Sequence, residues 1–136
     1  MPVTFIDLFC GIGGIRLGME SAGFQCVMSS DIDIECQRTY FENFGEVPLG
    51  DIREIDEKDV PDHDVLCAGF PCQPFSISGR QKGFQDTRGT LFFEICRMIY
   101  EKSPAVVFLE VELLKDDDTV KFQHKTAWND LVSQGI

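Results

Sequence analysis

Val3-Thr4-Phe5-Ile6-Asp7-Leu8-Phe9-Cys10-Gly11-Ile12-Gly13-Gly14 decides how this chain folds. Val3 to Phe9 is rich in β-branched and aromatic residues and reads as a buried strand. Cys10 to Gly14 is too rich in glycine to continue it and reads as a tight turn. Ile15 to Ala22 then has helical spacing, at Ile15, Met19 and Ala22, and Gly23 stands where a left-handed cap ends a helix. Phe24 to Ser30 is a second strand, closed by Asp31-Ile32-Asp33. Strand, turn, helix and strand within about thirty residues make a parallel βαβ unit.

Downstream the alternation goes on. Asp33 caps a second helix through Phe44, with Cys36, Tyr40, Phe41 and Phe44 as its buried stripe. Leu49 to Ile52 is a short strand end or turn, and Arg53 to Asp64 a charged surface segment with one helical turn. Asp64 to Gly69 has the composition of a buried strand, and Phe70-Pro71-Cys72-Gln73 leaves it, because proline cannot donate to a sheet ladder. Ser76 to Gly89 reads as a mobile polar loop hinged at Gly79, Gly83 and Gly89. Thr90 to Lys102 reads as a helix, apolar at Leu91, Phe92, Ile95, Met98 and Ile99. Ala105 to Leu109 is a further buried strand presenting Glu110 at its carboxyl end, and Lys115 to Val132 a loop and amphipathic helix. The whole predicts an α/β, Rossmann-like fold, a parallel sheet with helices on both faces. That sheet is expected to be incomplete, with an exposed strand edge that favours self-association.

Composition narrows the classes. The 136 residues suit one domain, and the longest apolar run, Ala105 to Leu109, is far short of the roughly 20 residues of a membrane span. The start carries no secretory pattern, so a cytoplasmic protein, in a bacterial cytosol, is expected. The six cysteines are scattered singly and the two histidines lie far apart, so zinc spacing is absent and no metal is expected. Most of the thiols read as buried small hydrophobes. Twelve basic against twenty-three acidic residues leave a formal net charge of −11, which by itself argues against a nucleic-acid-binding domain.

Three constellations carry chemistry. The turn containing Gly11 and Gly13 permits close approach of a ligand to free N–H groups at a helix start. Asp31, at the end of the second strand, stands where a carboxylate accepts hydrogen bonds from both ribose hydroxyls of an adenosine cofactor, and Asp51 can accept from an adenine amino group. The spacing is not that of a dinucleotide fingerprint, so a nucleoside without pyrophosphate, such as S-adenosylmethionine, fits better than NAD. The same glycines equally serve a tight turn alone, and Asp31 a helix cap. Cys72, held between Pro71 and Pro74 past a strand end, is a candidate nucleophile rather than a half-buried loop thiol. With Glu110 facing the same pocket, such a thiolate can add to C6 of a pyrimidine while the carboxyl group binds its N3/N4 edge. Arg80, Lys82 and Arg88 form a local basic patch that can hold phosphates, or a solvated loop.

Together these stretches resemble the cytosine-C5 DNA methyltransferases, mainly bacterial modification methylases of restriction-modification systems. The resemblance runs from Phe5 to Glu110, through Asp7 to Gly14, Gly69-Phe70-Pro71-Cys72-Gln73-Pro74-Phe75-Ser76, Gly83 to Gly89, and Leu91-Phe92. It implies a methyltransferase with S-adenosylmethionine as donor, S-adenosylhomocysteine as product, and double-stranded DNA with a flipped cytosine as substrate. Cys72 and Glu110 would be catalytic. Phe9, Gly11, Ile12, Gly13, Asp31, Ile32, Asp51, Ile52, Phe70 and Leu91 would surround the cofactor, and Gln73, Ser76, Ser78, Arg80 and Lys82 would meet the nucleic acid. Residues 1–110 would be the cofactor-binding and catalytic half, and 111–136 a poorly matched segment of the same domain. Two departures stand out: the family's Glu-Asn-Val reads Glu110-Val111-Glu112, and the paired arginines, target-recognition domain and final helix have no counterpart. A DNA-facing basic surface in that absent part would reconcile the acidic charge. A non-catalytic or split fragment that binds the cofactor or a complementing chain, and an RNA-cytosine methyltransferase, are the alternatives.

Overall fold

The computed structural model describes residues 2–70 and 87–111. Among them, strands β1 (Thr4–Leu8), β2 (Gln25–Ser30), β3 (Val65–Phe70) and β4 (Val106–Val111) are interleaved with helices α1 (Gly14–Ser21), α2 (Ile34–Phe44) and α3 (Thr87–Lys102). All three strand pairings are parallel, in the order β2-β1-β3-β4. The chain runs outward from β1 to β2, crosses back, and continues from β3 to β4. That reversal lies between β1 and β3, and in open α/β sheets the carboxyl ends of the strands at such a point are where ligands bind.

Side chains alternate along β1 and so divide the core into two layers. Ile6 and Leu8 join Leu66, Ala68 and the Phe92, Ile95, Met98 and Ile99 row of α3. Phe5, Val65 and Cys67 point to the other face, against Ile15 and Met19 of α1 and Phe24. Each large apolar side chain fully buried in these layers contributes about 1.5–3 kcal/mol. Helix α1 ends as its glycine promised: the Gly23 N–H donates to the Glu20 carbonyl at 2.9 Å and the Phe24 N–H to that of Met19 at 3.1 Å. Helix α2 starts at Asp33, whose carboxylate accepts from the Glu35 and Cys36 N–H groups. No helix among the described residues is long and apolar enough to cross a membrane.

Several expectations are corrected. Helix α3 begins at Thr87 rather than Thr90, since extending a formed helix backward adds a hydrogen bond per residue and needs no apolar face. Residues 76–86 of the expected loop, and the segment 115–132, lie outside the described residues. Phe41 is half exposed: Cys36, Tyr40 and Phe44 lie four apart on one stripe, and Phe41 is turned about 100° from Tyr40. The segment after Asp51 holds two 3-10 turns, Ile52–Glu54 and Glu57–Asp59, and buries Ile52 and Val60. Among the described residues, strand β4 is covered on one face only. Val107 and Leu109 pack on the core beneath α3, whereas Val106 and Phe108 are about half exposed. Glu110 lies inside β4, one residue before its end.

Candidate functional site

The carboxyl end of β1 is shaped by backbone conformations that ordinary residues avoid. Phe9 and Gly11 have φ of 51° and 56°, and Gly13 has 101°. At Gly13 a side chain is excluded twice over, because a Cβ would stand inside the Phe44 ring of α2. At Gly69 of β3 a Cβ would come 3.1 Å from the Phe9 carbonyl oxygen, so a glycine lets β3 approach the turn closely. The Gly11 position faces the other way: among the described residues, nothing lies within 4 Å of where its Cβ would be.

Asp31 ties this turn to the end of β2. One carboxylate oxygen accepts the Gly11 N–H at 2.8 Å and the other accepts the Asp33 N–H at 2.8 Å. The Asp31 main chain is held as well, its N–H donating to the Leu49 carbonyl and its own carbonyl accepting from Gln37 Nε2. Ile12 and Ile32, flanking this clasp in sequence, are mostly exposed. The Ser30 hydroxyl donates to the Gly50 carbonyl at 2.7 Å and brings the next loop alongside. There Asp51 caps the first 3-10 turn and pairs with Arg53 at 2.7 Å, which holds its carboxyl below the usual range. Ile52 buries its side chain in the main core, and Leu91 of α3 packs against the same cluster.

A polar network centred on Asp7 lies under the turn. Asp7 is fully buried between the strands. Its Oδ2 accepts from the Tyr40 hydroxyl at 3.1 Å, while Oδ1 is buried without a hydrogen-bond partner. Arg16 Nη1 donates to the Tyr40 oxygen at 3.4 Å, and its guanidinium makes a forked pair with Glu46 at 3.0 and 3.1 Å. The same cation lies 4.6 Å from the centre of the Phe44 ring, the ring that packs on Gly13. Burial pushes the Asp7 carboxyl up to about 7, against the pull of Tyr40 and Arg16 and with help from Asp31 and Glu110. A carboxylate within an apolar strand was the available signal, and the reading of residues 3–9 as a buried strand passed over it.

Burial also raises the thiols, Cys26 to about 11 and Cys67 to about 12, with Cys10 pushed up further. At neutral pH these three are protonated and poor nucleophiles. Glu110, exposed on β4, is in register with Gly69, three residues before Cys72. Cys72, Gln73, Ser76, Ser78, Arg80 and Lys82 lie outside the described residues, as does the Phe70 side chain. The structure thus brings together Phe9, Gly11, Ile12, Gly13, Asp31 and Ile32 at the carboxyl ends of β1 and β2, with the Asp51 loop stitched beside them.

Residues 3–133 match the family model for the C-5 cytosine-specific DNA methylases. Over 108 residues, 79% of this chain, the sequence is 62% identical to the type II methyltransferase M.HhaI of Haemophilus parahaemolyticus and covers 33% of it. Over 105 residues, 77% of this chain, it is 58% identical to M.NgoBI of Neisseria gonorrhoeae, again covering 33%. The chain spans about a third of the length of the curated relatives it matches. Among solved structures, the Entamoeba histolytica methyltransferase EhMeth superposes with a TM-score of 0.72 at 22% identity, over 98% of this chain and 44% of that one, a likeness of fold.

Proposed function

This chain belongs to the C-5 cytosine-specific DNA methylases, and from that membership we propose that it carries the cofactor site and nucleophile of a DNA cytosine-5 methyltransferase. In this reading residues 1–110 form the cofactor-binding and catalytic half, and 111–136 continue the same domain. The observation that supports it most is the Gly11–Asp31 clasp. Each Asp31 oxygen accepts one backbone N–H and retains a further acceptor site, which suits the two hydroxyls of a ribose. The open space at Gly11 lets a ligand lie against the turn. These residues fit S-adenosylmethionine, which supplies an electrophilic methyl group on a sulfonium. Phe9, Ile12, Gly13 and Ile32 would border it, with Asp51, Ile52, Phe70 and Leu91 toward its adenine.

The chain's own groups then perform the transfer on a cytosine flipped out of double-stranded DNA. Cys72 Sγ, as thiolate, forms a bond to C6, and the C5–C6 π pair moves onto C5. Glu110 hydrogen-bonds the N3/N4 edge as charge builds on the ring. C5 takes the methyl group, the electrons of the broken carbon–sulfur bond staying on the departing thioether, S-adenosylhomocysteine. A base then removes the C5 proton, the C5–C6 double bond re-forms, and Cys72 leaves. Gln73, Ser76, Ser78, Arg80 and Lys82 would contact the nucleic acid around the base. A complementing chain, or a second copy meeting the β4 side, is the protein partner this reading provides for. A bacterial cytosol is the setting that fits.

Incubation with S-adenosylmethionine and duplex DNA containing 5-fluorocytosine tests the proposal. Fluorine at C5 cannot leave as a proton, so the Cys72–C6 bond is trapped in a single turnover. The expected result is a covalent adduct that Cys72→Ser abolishes. Cofactor binding without an adduct would reduce the chain to a non-catalytic binder.

A further inference from the structure

Arg97 lies on α3, six residues and about 9 Å along the helix axis from Leu91. Its guanidinium reaches out of the helix onto the segment that follows Asp51. Nη2 donates to the Ile52 carbonyl at 3.0 Å and Nη1 to the Ile55 carbonyl at 2.8 Å. Nη1 also meets Glu57 Oε2 at 2.6 Å, and Nε meets Glu94 Oε2 at 2.6 Å. Ile52 is the first residue of a 3-10 turn, and Ile55 is the residue that closes it by donating to Ile52 at 3.2 Å. Arg97 therefore holds both ends of one turn, and Asp51 is the residue that caps that turn.

We infer that Arg97 is a positioning residue for the base-recognising side of the site, setting where Asp51 and Ile52 stand relative to Leu91. The inference rests on the reading of these strand ends as an S-adenosylmethionine site. The Ser30 hydroxyl anchors the entry to the turn at Gly50, and Ile52 and Ile55 pack against the core, but apolar contact is non-directional and leaves the far end of the turn free to rotate or slide. Directed hydrogen bonds to two carbonyls remove that freedom. The planar fork of an arginine can bond both carbonyls and both carboxylates at once, which the compact ammonium of a lysine cannot reproduce. Since Arg97 and Leu91 share one helix, the carboxylate proposed to accept from the adenine amino group is referenced to the apolar side chain proposed to flank the same ring.

The test is a calorimetric titration of the unaltered chain, Arg97→Lys and Arg97→Gln with S-adenosylmethionine and with its 6-oxo analogue, in which hypoxanthine replaces adenine. The unaltered chain is expected to prefer the 6-amino base at least tenfold. Both variants are expected to lose most of that preference, through weaker binding of the adenine form, while binding of the 6-oxo form stays within about twofold. A purely structural role would lower the two affinities together and leave their ratio unchanged, and that result overturns the inference. Equal binding of both ligands by the unaltered chain also overturns it while leaving the cofactor site standing. No binding of either removes the cofactor reading and the inference with it. Should neither variant fold, Arg97 serves stability alone and the inference fails.

Discussion

Asp7 is a buried carboxyl group whose pKa stands near 7 in the folded chain against 3.8 for the free group, so its effect on stability has a definite sign. Between those values the folded chain holds a proton that the unfolded chain has released. Stability from this group is therefore fully present below about pH 4 and is lost as pH rises toward 7, at up to about 1.4 kcal/mol per pH unit. Asp7→Asn keeps the shape and removes the titration. Thermal melts from pH 4 to 8 are expected to show the variant gaining on the parent as pH rises, most between 4 and 7. Parallel curves would mean that Asp7 does not titrate in that window. Residues of this kind also mark the limit of sequence reading. Asp31 was legible because its place at a strand end is local, whereas Tyr40, which bonds Asp7, and Arg16, which bonds Tyr40, lie on two helices that only the fold brings beneath the turn.

At the scale of elements, α3 does two jobs, and its residues divide accordingly. Phe92 is fully buried in the main core and Tyr100 is largely exposed on the same helix. Phe92→Ala is expected to cost about 3–5 kcal/mol and Tyr100→Ala no more than about 0.5 kcal/mol, as read by urea denaturation. Similar costs would place the buried face of α3 elsewhere. The apolar spacing of this helix announced its inner face, and the strands were legible as short apolar runs between glycine and proline. The start of α3 was not, because its first turn carries Thr87, Arg88 and Gly89 and offers no apolar signal. Nor was the outward face of β4, since Val106 and Phe108 have the same composition as a strand covered on both sides.

For the whole molecule, the parallel pairing of the strands matters most, because it puts the glycine turn, the Asp31 clasp and the carboxyl end of β3 at one end of the sheet. On β4, Val106 and Phe108 expose apolar surface on a strand that, among the described residues, pairs only with β3. Such a strand favours association through its face and edge. The mean mass by light scattering is expected to rise with concentration, and to rise less when Val106→Lys and Phe108→Lys are combined. A mass independent of concentration in the unaltered chain would contradict this. If the clasp at the ends of β1 and β2 is a cofactor cradle, titrating the chain with S-adenosylmethionine will show it. Loss of hydrogen bonds to a charged group at about 1.5–3 kcal/mol each predicts saturable binding that Asp31→Ala weakens at least tenfold. The same affinity in Asp31→Ala as in the unaltered chain, or no binding by the unaltered chain, would contradict the account.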